Sequence, residues 1–192
     1  MVSRVRRWLL FLCCVGTLLP AHALRVDGIA FDDVARVGGR ELRLNGVGFR
    51  AVATIKGYAA GLYLAEAAHT PAEVTTLAGP KRLQLRMLLD VPSAEFAKAF
   101  RKGVERNTAA ADLPALAERV QTFDKLVLSL GQMRKGDLVN LDFVPGQGLV
   151  LSVNGKVRGL PVPGEDLYAA LLRSFVGDRP YDRELKAGLL GG

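Results

Sequence analysis

The sequence predicts an α+β domain in which helices cover one face of an antiparallel sheet. Three observations carry that expectation. The elements run strands, helices, strands, helices along the chain. The later strands form a meander, with Asn154-Gly155 between the last two; a type I′ turn needs two positive φ angles, which this dipeptide supplies. The helices from Ser93 and Asp166 each carry one apolar stripe, so each has one face to bury.

The elements follow in order. Positions 24–32 read as a short leader. Val34 to Leu44, VARVGGRELRL, reads as a strand, a Gly38-Gly39 turn and a second strand. Phe49 to Ile55 and Tyr58 to Leu64 read as two more strands, interrupted near Gly57. His69 to Pro80 is polar and irregular, with a short helix after Thr70-Pro71. Lys81 to Leu89, KRLQLRMLL, alternates basic or polar with apolar residues and predicts a half-buried strand. Ser93 is a candidate N-cap for a helix with Phe96, Phe100, Val104 and Asn107 at helical spacing. Asp112 or Leu113-Pro114 opens the next helix, to about Leu130. Three strands follow at Asp137 to Val144, Gly148 to Val153 and Lys156 to Leu160. Pro163-Gly164-Glu165 introduces a helix from Asp166 to Val176, ended by Gly177, and a last amphipathic helix covers Asp182 to Leu190. With no internal repeat or interdomain linker, residues 24–192 read as one domain.

The first 23 residues read as a secretory signal peptide. Arg4, Arg6 and Arg7 form a positive n-region, and Trp8 to Leu19 is an apolar h-region too short to span a membrane. Ala21-His22-Ala23 is an A-x-A cleavage signal, so the expectation is Sec-type export to the periplasm or medium, with no membrane span left after cleavage. Both cysteines, Cys13 and Cys14, lie in the removed segment, which leaves no disulfide and no thiol nucleophile. Losing three of the 26 basic residues lowers the formal charge from +7 to +4. That charge is spread along the chain, with no basic run interleaved with aromatics, which argues against nucleic acid as a partner.

The familiar catalytic patterns are missing from the sequence. His69 is the only histidine left after cleavage and sits in what reads as a surface turn, so neither a metal ligand set nor a Ser-His-Asp triad is expected. Gly46 and Gly48 do not make a dinucleotide-binding loop, and no cofactor is implied.

Three polar residues on apolar faces stand out instead. Arg50 lies in Leu44 to Leu64, LNGVGFRAVATIKGYAAGLYL, a run without an acidic residue. A buried arginine must be paired or reach solvent, so an ion pair, a ligand and plain solvation all remain open. At about 100° per residue, Asn107 points where Phe96 and Phe100 point; it either needs partners there or caps its own helix. Ser174 lies in the stripe of Leu167, Leu171 and Phe175, where a serine either faces a cleft or bonds back to the i−4 carbonyl.

The order of motifs resembles the chalcone isomerase-like family. Asn45-Gly46-Val47-Gly48-Phe49-Arg50 followed by Gly61-Leu62-Tyr63-Leu64 is similar to its first signature. FRKGVERN, Phe100 to Asn107, is similar to its helix with an aromatic and an asparagine one face apart. Ser174-Phe175-Val176-Gly177 is similar to its late helix with a hydroxyl residue near the end. The resemblance covers about residues 27–190 and implies an open-faced β-sandwich of the chalcone isomerase type. It implies an Arg50 that supports a phenolate or meets a carboxylate, and an Asn107 and Ser174 that grip the far end of a ligand. Two positions depart from the enzymes: Tyr58 stands in place of a strand threonine, and Phe100 in place of a helix tyrosine. Non-catalytic family members bind fatty acids in the same cleft. The expectation is therefore a non-catalytic binder of a small amphipathic acid, such as a fatty acid, using Arg50, Tyr58, Phe100, Asn107 and Ser174. The alternatives are an intramolecular lyase acting on a chalcone-like enone, with Arg50, Tyr58, Asn107 and Ser174 at its centre, and an accessory protein acting through a protein partner.

Overall fold

The computed structural model describes residues 23–26, 28–52 and 55–192, with side chains from Gly28 onward except at position 52. Apart from Ala23, the expected signal segment thus lies outside the described residues. Along the chain run β1 (Ala23–Val26), β2 (Ile29–Asp32), β3 (Val34–Val37), β4 (Arg40–Val52), β5 (Ile55–Leu64), α1 (Pro71–Thr76) and β6 (Lys81–Met87). Then come β7 (Val91–Pro92), α2 (Ser93–Asn107), α3 (Leu113–Leu128), β8 (Gln132–Met133), β9 (Leu138–Val144), β10 (Gly148–Val153), β11 (Lys156–Val162), α4 (Glu165–Val176) and α5 (Arg183–Leu189).

Seven strands form one antiparallel sheet in the order β11-β10-β9-β6-β5-β4-β3. The sheet curls, so that β3 returns to touch β6 and β9. Local chemistry sets its turns. Asn154 (φ 51°) and Gly155 (φ 76°) link β10 to β11, and Gly38 and Gly39 (φ 56° and 78°) link β3 to β4, where Val37 pairs with Arg40. Thr70 and Glu73 close a capping box on α1, with Pro71 at its start.

The main core lies between the sheet and α2 and α4. Leu62, Leu83, Leu85, Leu141 and Leu151 of the sheet meet Ala97, Phe100, Val104, Leu167, Leu171 and Phe175. Each large apolar side chain buried here contributes about 1.5–3 kcal/mol. The opposite face, inside the curl, holds a smaller cluster of Val37, Leu42 and Tyr63. Beside it runs a polar row: Arg82 to Asp142, Gln84 to Asn140, and Asn140 to Ser152.

Four details differ from the sequence reading. Positions 24–32 are not a plain leader: β1 and β2 pair as a hairpin about Gly28 (φ 79°), and Phe31 covers Gly61 so closely that a Cβ there would lie 2.7 Å from its ring. The strands expected at 40–44 and 49–55 are one strand, β4, with a register irregularity between Leu44 and Gly46. The break before β5 falls ahead of Ile55 rather than near Gly57. Ser93 is the first helical residue, not the cap; its hydroxyl donates to the Leu128 carbonyl at 3.3 Å and ties α2 to α3 beside the short β7–β8 ladder.

Candidate functional site

Arg50 owes its position to the glycines before it. Gly46, Gly48 and Arg50 pair with Leu62, Ala60 and Tyr58 of β5, so all three face the helix layer. A Cβ at Gly48 would lie 2.5 Å from the Leu185 carbonyl, and one at Gly46 2.8 Å from the Leu189 carbonyl. From the other side, a Cβ at Gly188 would lie 2.8 Å from Gly48 Cα. The glycines of the first signature therefore let α5 lie directly on β4. Two residues further along the same face, Arg50 reaches the N-terminus of that helix.

There Arg50 Nη1 donates to the Ala51 carbonyl at 2.6 Å and lies 3.3 Å from Asp182 Oδ2, a partner 132 positions away. Of the readings left open by the sequence, the structure supplies an ion pair, with the guanidinium side chain 31% exposed. Asp182 is also the N-cap of α5, accepting from the Glu184 and Leu185 amides at 2.9 and 3.1 Å. Burial pushes its carboxyl pKa up, but the Leu185, Glu184 and Ala51 amides and Arg50 outweigh that and hold it below the usual carboxylate range. Arg50 keeps Nε and Nη2 without a hydrogen bond among the described residues.

Tyr58 sits directly across from Arg50 and packs, partly buried, against the main core. Its hydroxyl makes no hydrogen bond among the described residues. Burial pushes its pKa well above the ordinary phenol value; neighbouring Tyr181 adds to this and Arg50 opposes it. Tyr181 stands beside it, edge-on to Phe175 with centroids 4.9 Å apart, and donates to the Ala99 carbonyl at 3.1 Å. Burial pushes its pKa up to about 12, opposed by Ser174 and the charges of Arg106 and Arg50. Both phenols are therefore neutral hydrogen-bond donors at physiological pH. A Cβ at Gly103 would collide with the Tyr181 hydroxyl and with Ser174, so this glycine lets α2 close on α4 and the following loop. Neither Tyr181 nor Asp182 stands out as a site residue in the sequence. Asp182 is legible there as a helix start, but nothing local links it to Arg50.

The remaining expected residues divide. Ser174 is fully buried and donates to the Ala170 carbonyl at 3.2 Å, the i−4 bond; it borders Tyr181 and belongs to the cluster. Phe100 is 2% exposed and packs edge-on against Phe123 at 4.8 Å, one helical turn from Gly103. Asn107 is turned to other partners. Its Nδ2 donates to the Gly103 and Arg179 carbonyls, both at 2.9 Å, and its Oδ1 accepts from the Arg179 amide at 3.1 Å. It caps its own helix and pins the loop after α4. The structure thus gathers Arg50, Tyr58 and Ser174 with Tyr181 and Asp182, buries Phe100 in the adjoining core against Phe123, and turns Asn107 to the loop after α4. Among the described residues no group of three or more His, Cys, Asp or Glu could hold a metal, and no helix is long and apolar enough to cross a membrane.

A family model described as chalcone isomerase-like matches residues 23–191. The chain belongs to the chalcone isomerase-like family. Its fold is similar to that of a fatty-acid binding protein of Arabidopsis thaliana, known from a crystal structure. That match has a TM-score of 0.66 at 18% identity and covers 88% of this chain and 96% of the other. A search among curated proteins finds no sequence match.

Proposed function

We propose that the protein is an exported, non-catalytic binder of a small amphipathic acid, a fatty acid in the simplest case. Arg50 and Tyr58 take the carboxylate at the sheet–helix junction. The observation that carries this reading is their cross-strand pairing on the helix face, next to the apolar core. A carboxylate there meets the unused Nε and Nη2 of Arg50 in a charge-assisted fork and a phenol that stays protonated. An alkyl chain would insert beside Phe100 and Ser174, both buried in the core, and Asn107 pins the end of α2 to the loop after α4. The shared fold with a protein described as fatty-acid binding supports the reading.

Asp182 sets its terms. The ligand carboxylate must share or replace that aspartate at Arg50, so binding is an exchange of carboxylates. Asp182→Asn keeps an oxygen for the helix cap while removing the competing charge. The test is native mass spectrometry of residues 24–192, followed by denaturing extraction of what is bound. The expected result is a stoichiometric fatty acid that is lost in Arg50→Ala. A clean protein mass, with no fatty acid bound on titration, would overturn the reading.

One observation favours a second reading as an intramolecular lyase. The Tyr181 phenol stands beside Ser174 and Tyr58, so a hydroxyl is present beside α2, where Phe100 has none. A donor aimed at a developing enolate is worth a few kcal/mol. Loss of chalcone absorbance on mixing with the protein, abolished in Tyr181→Phe, would favour that reading over the binder.

A further inference from the structure

A second basic site lies where α2 and α4 end, on the far side of Asn107. Between these helix ends and the start of α1 opens a cleft of about 550 Å³. Neither Arg50 nor Tyr58 lines it, so a ligand in this cleft is independent of the amphipathic acid proposed at Arg50.

Three guanidiniums line this cleft, from Arg106 on α2, Arg173 on α4 and Arg179 on the loop after α4. Part of their placement is explained by the helix ends themselves. Arg106 Nε donates to the Lys102 carbonyl at 3.3 Å, and Arg173 Nε donates to the Asn107 carbonyl at 3.2 Å. Cations are favoured at such C-terminal carbonyls. These bonds orient the side chains but leave both Nη groups of each arginine unengaged, and the Arg179 head makes no hydrogen bond at all among the described residues. None of the three has a carboxylate within ion-pair distance among the described residues. A single aspartate, Asp178, lines the cleft with them, so positive charge is in excess. The wall also carries Thr108, whose Oγ1 is buried and without a partner among the described residues. An unpaired buried polar group is a standing cost, which a small turn of the Thr108 side chain toward a ligand oxygen would remove.

We propose that this cleft binds a phosphate group bearing two or more negative charges, carried by a small molecule or a lipid. A carboxylate satisfies one guanidinium fork. A tetrahedral phosphate presents oxygens in several directions and suits cations arriving from a helix, a second helix and a loop.

Arg106 and Arg179 are exposed, so replacing both with Gln leaves the fold intact, which a thermal melt checks. Inorganic pyrophosphate is the soluble probe, followed by amide NMR and calorimetry. Vesicles of phosphatidic acid in phosphatidylcholine form the lipid arm. Saturable pyrophosphate binding is expected, with shifts at Thr75, Thr108 and Arg179. Affinity should fall about tenfold or more in R106Q/R179Q and change little in the distant Lys156→Gln. Binding to the phosphatidic acid vesicles alone, lost in the same double variant, would support the proposal and assign the phosphate to a lipid. The proposal is overturned if neither probe binds, if the double variant binds as well as wild type, or if acetate competes as strongly as pyrophosphate.

Discussion

Two arginine–aspartate pairs sit on opposite faces of one sheet, and they differ in how closed they are. Arg82 meets Asp142 through two parallel bonds of 2.7 Å, and the side chains are 17% and 12% exposed. The two residues are direct partners in the β6–β9 ladder, so the pair is part of the sheet's own pairing. Arg50 meets Asp182 through one 3.3 Å contact, with side chains 31% and 17% exposed. It joins a strand to a helix cap, and Asp182 divides its oxygens between the guanidinium and the amides of Ala51, Glu184 and Leu185. The first pair uses both oxygens and a full guanidinium edge. Among the described residues, the second leaves donors free beside a neutral phenol. A closed pair holds structure; an open pair at a junction can change partners.

The largest effect should come from breaking the closed pair. Asp142→Ala leaves Arg82 as a mostly buried charge without its partner, and urea unfolding should show a loss of about 3 kcal/mol. Next comes the helix that presents Asp182. Gly48→Ala drives a methyl group into the Leu185 backbone and should cost about 2–3 kcal/mol in the same measurement. The smallest effect belongs to the open pair. Asp182→Asn should change stability at neutral pH by about 0.5 kcal/mol or less, whereas Asp182→Ala also loses the cap and costs about 1 kcal/mol more. The pH dependence sharpens the contrast. The folded-state pKa of Asp182 lies below its unfolded value, so its contribution is fully present above about pH 4 and is lost as pH falls through the folded pKa. Asp182→Asn should lack that loss, and the two stability curves should converge in acid.

Much of this architecture is readable from pattern. The alternation of KRLQLRMLL is β6, Asn154-Gly155 is the β10–β11 turn, and the stripe of Leu167, Leu171, Ser174 and Phe175 is the buried face of α4. The β1–β2 hairpin is not readable, because its two strands are 4 residues each and too short to show a period. The long strand β4 is split in the sequence by its own glycines, which look like turn residues locally and serve α5 in the fold. The same non-local cause hides half of the candidate site. Arg50 is visible as a cation in an apolar run, but its partner is supplied by a helix at the other end of the chain. Tyr181 is hidden likewise, since only the closeness of Gly103 to the loop after α4 brings its phenol to Ser174.

Whether Arg50 is an exchangeable carboxylate holder is tested most directly by titrating a long-chain fatty acid into wild type, Arg50→Ala and Asp182→Asn, each shown to be folded. Arg50→Ala should bind about tenfold or more weakly, and Asp182→Asn, freed of the competing carboxylate, should bind more tightly than wild type. Equal affinity in all three proteins, or weaker binding by Asp182→Asn, would contradict that role for Arg50.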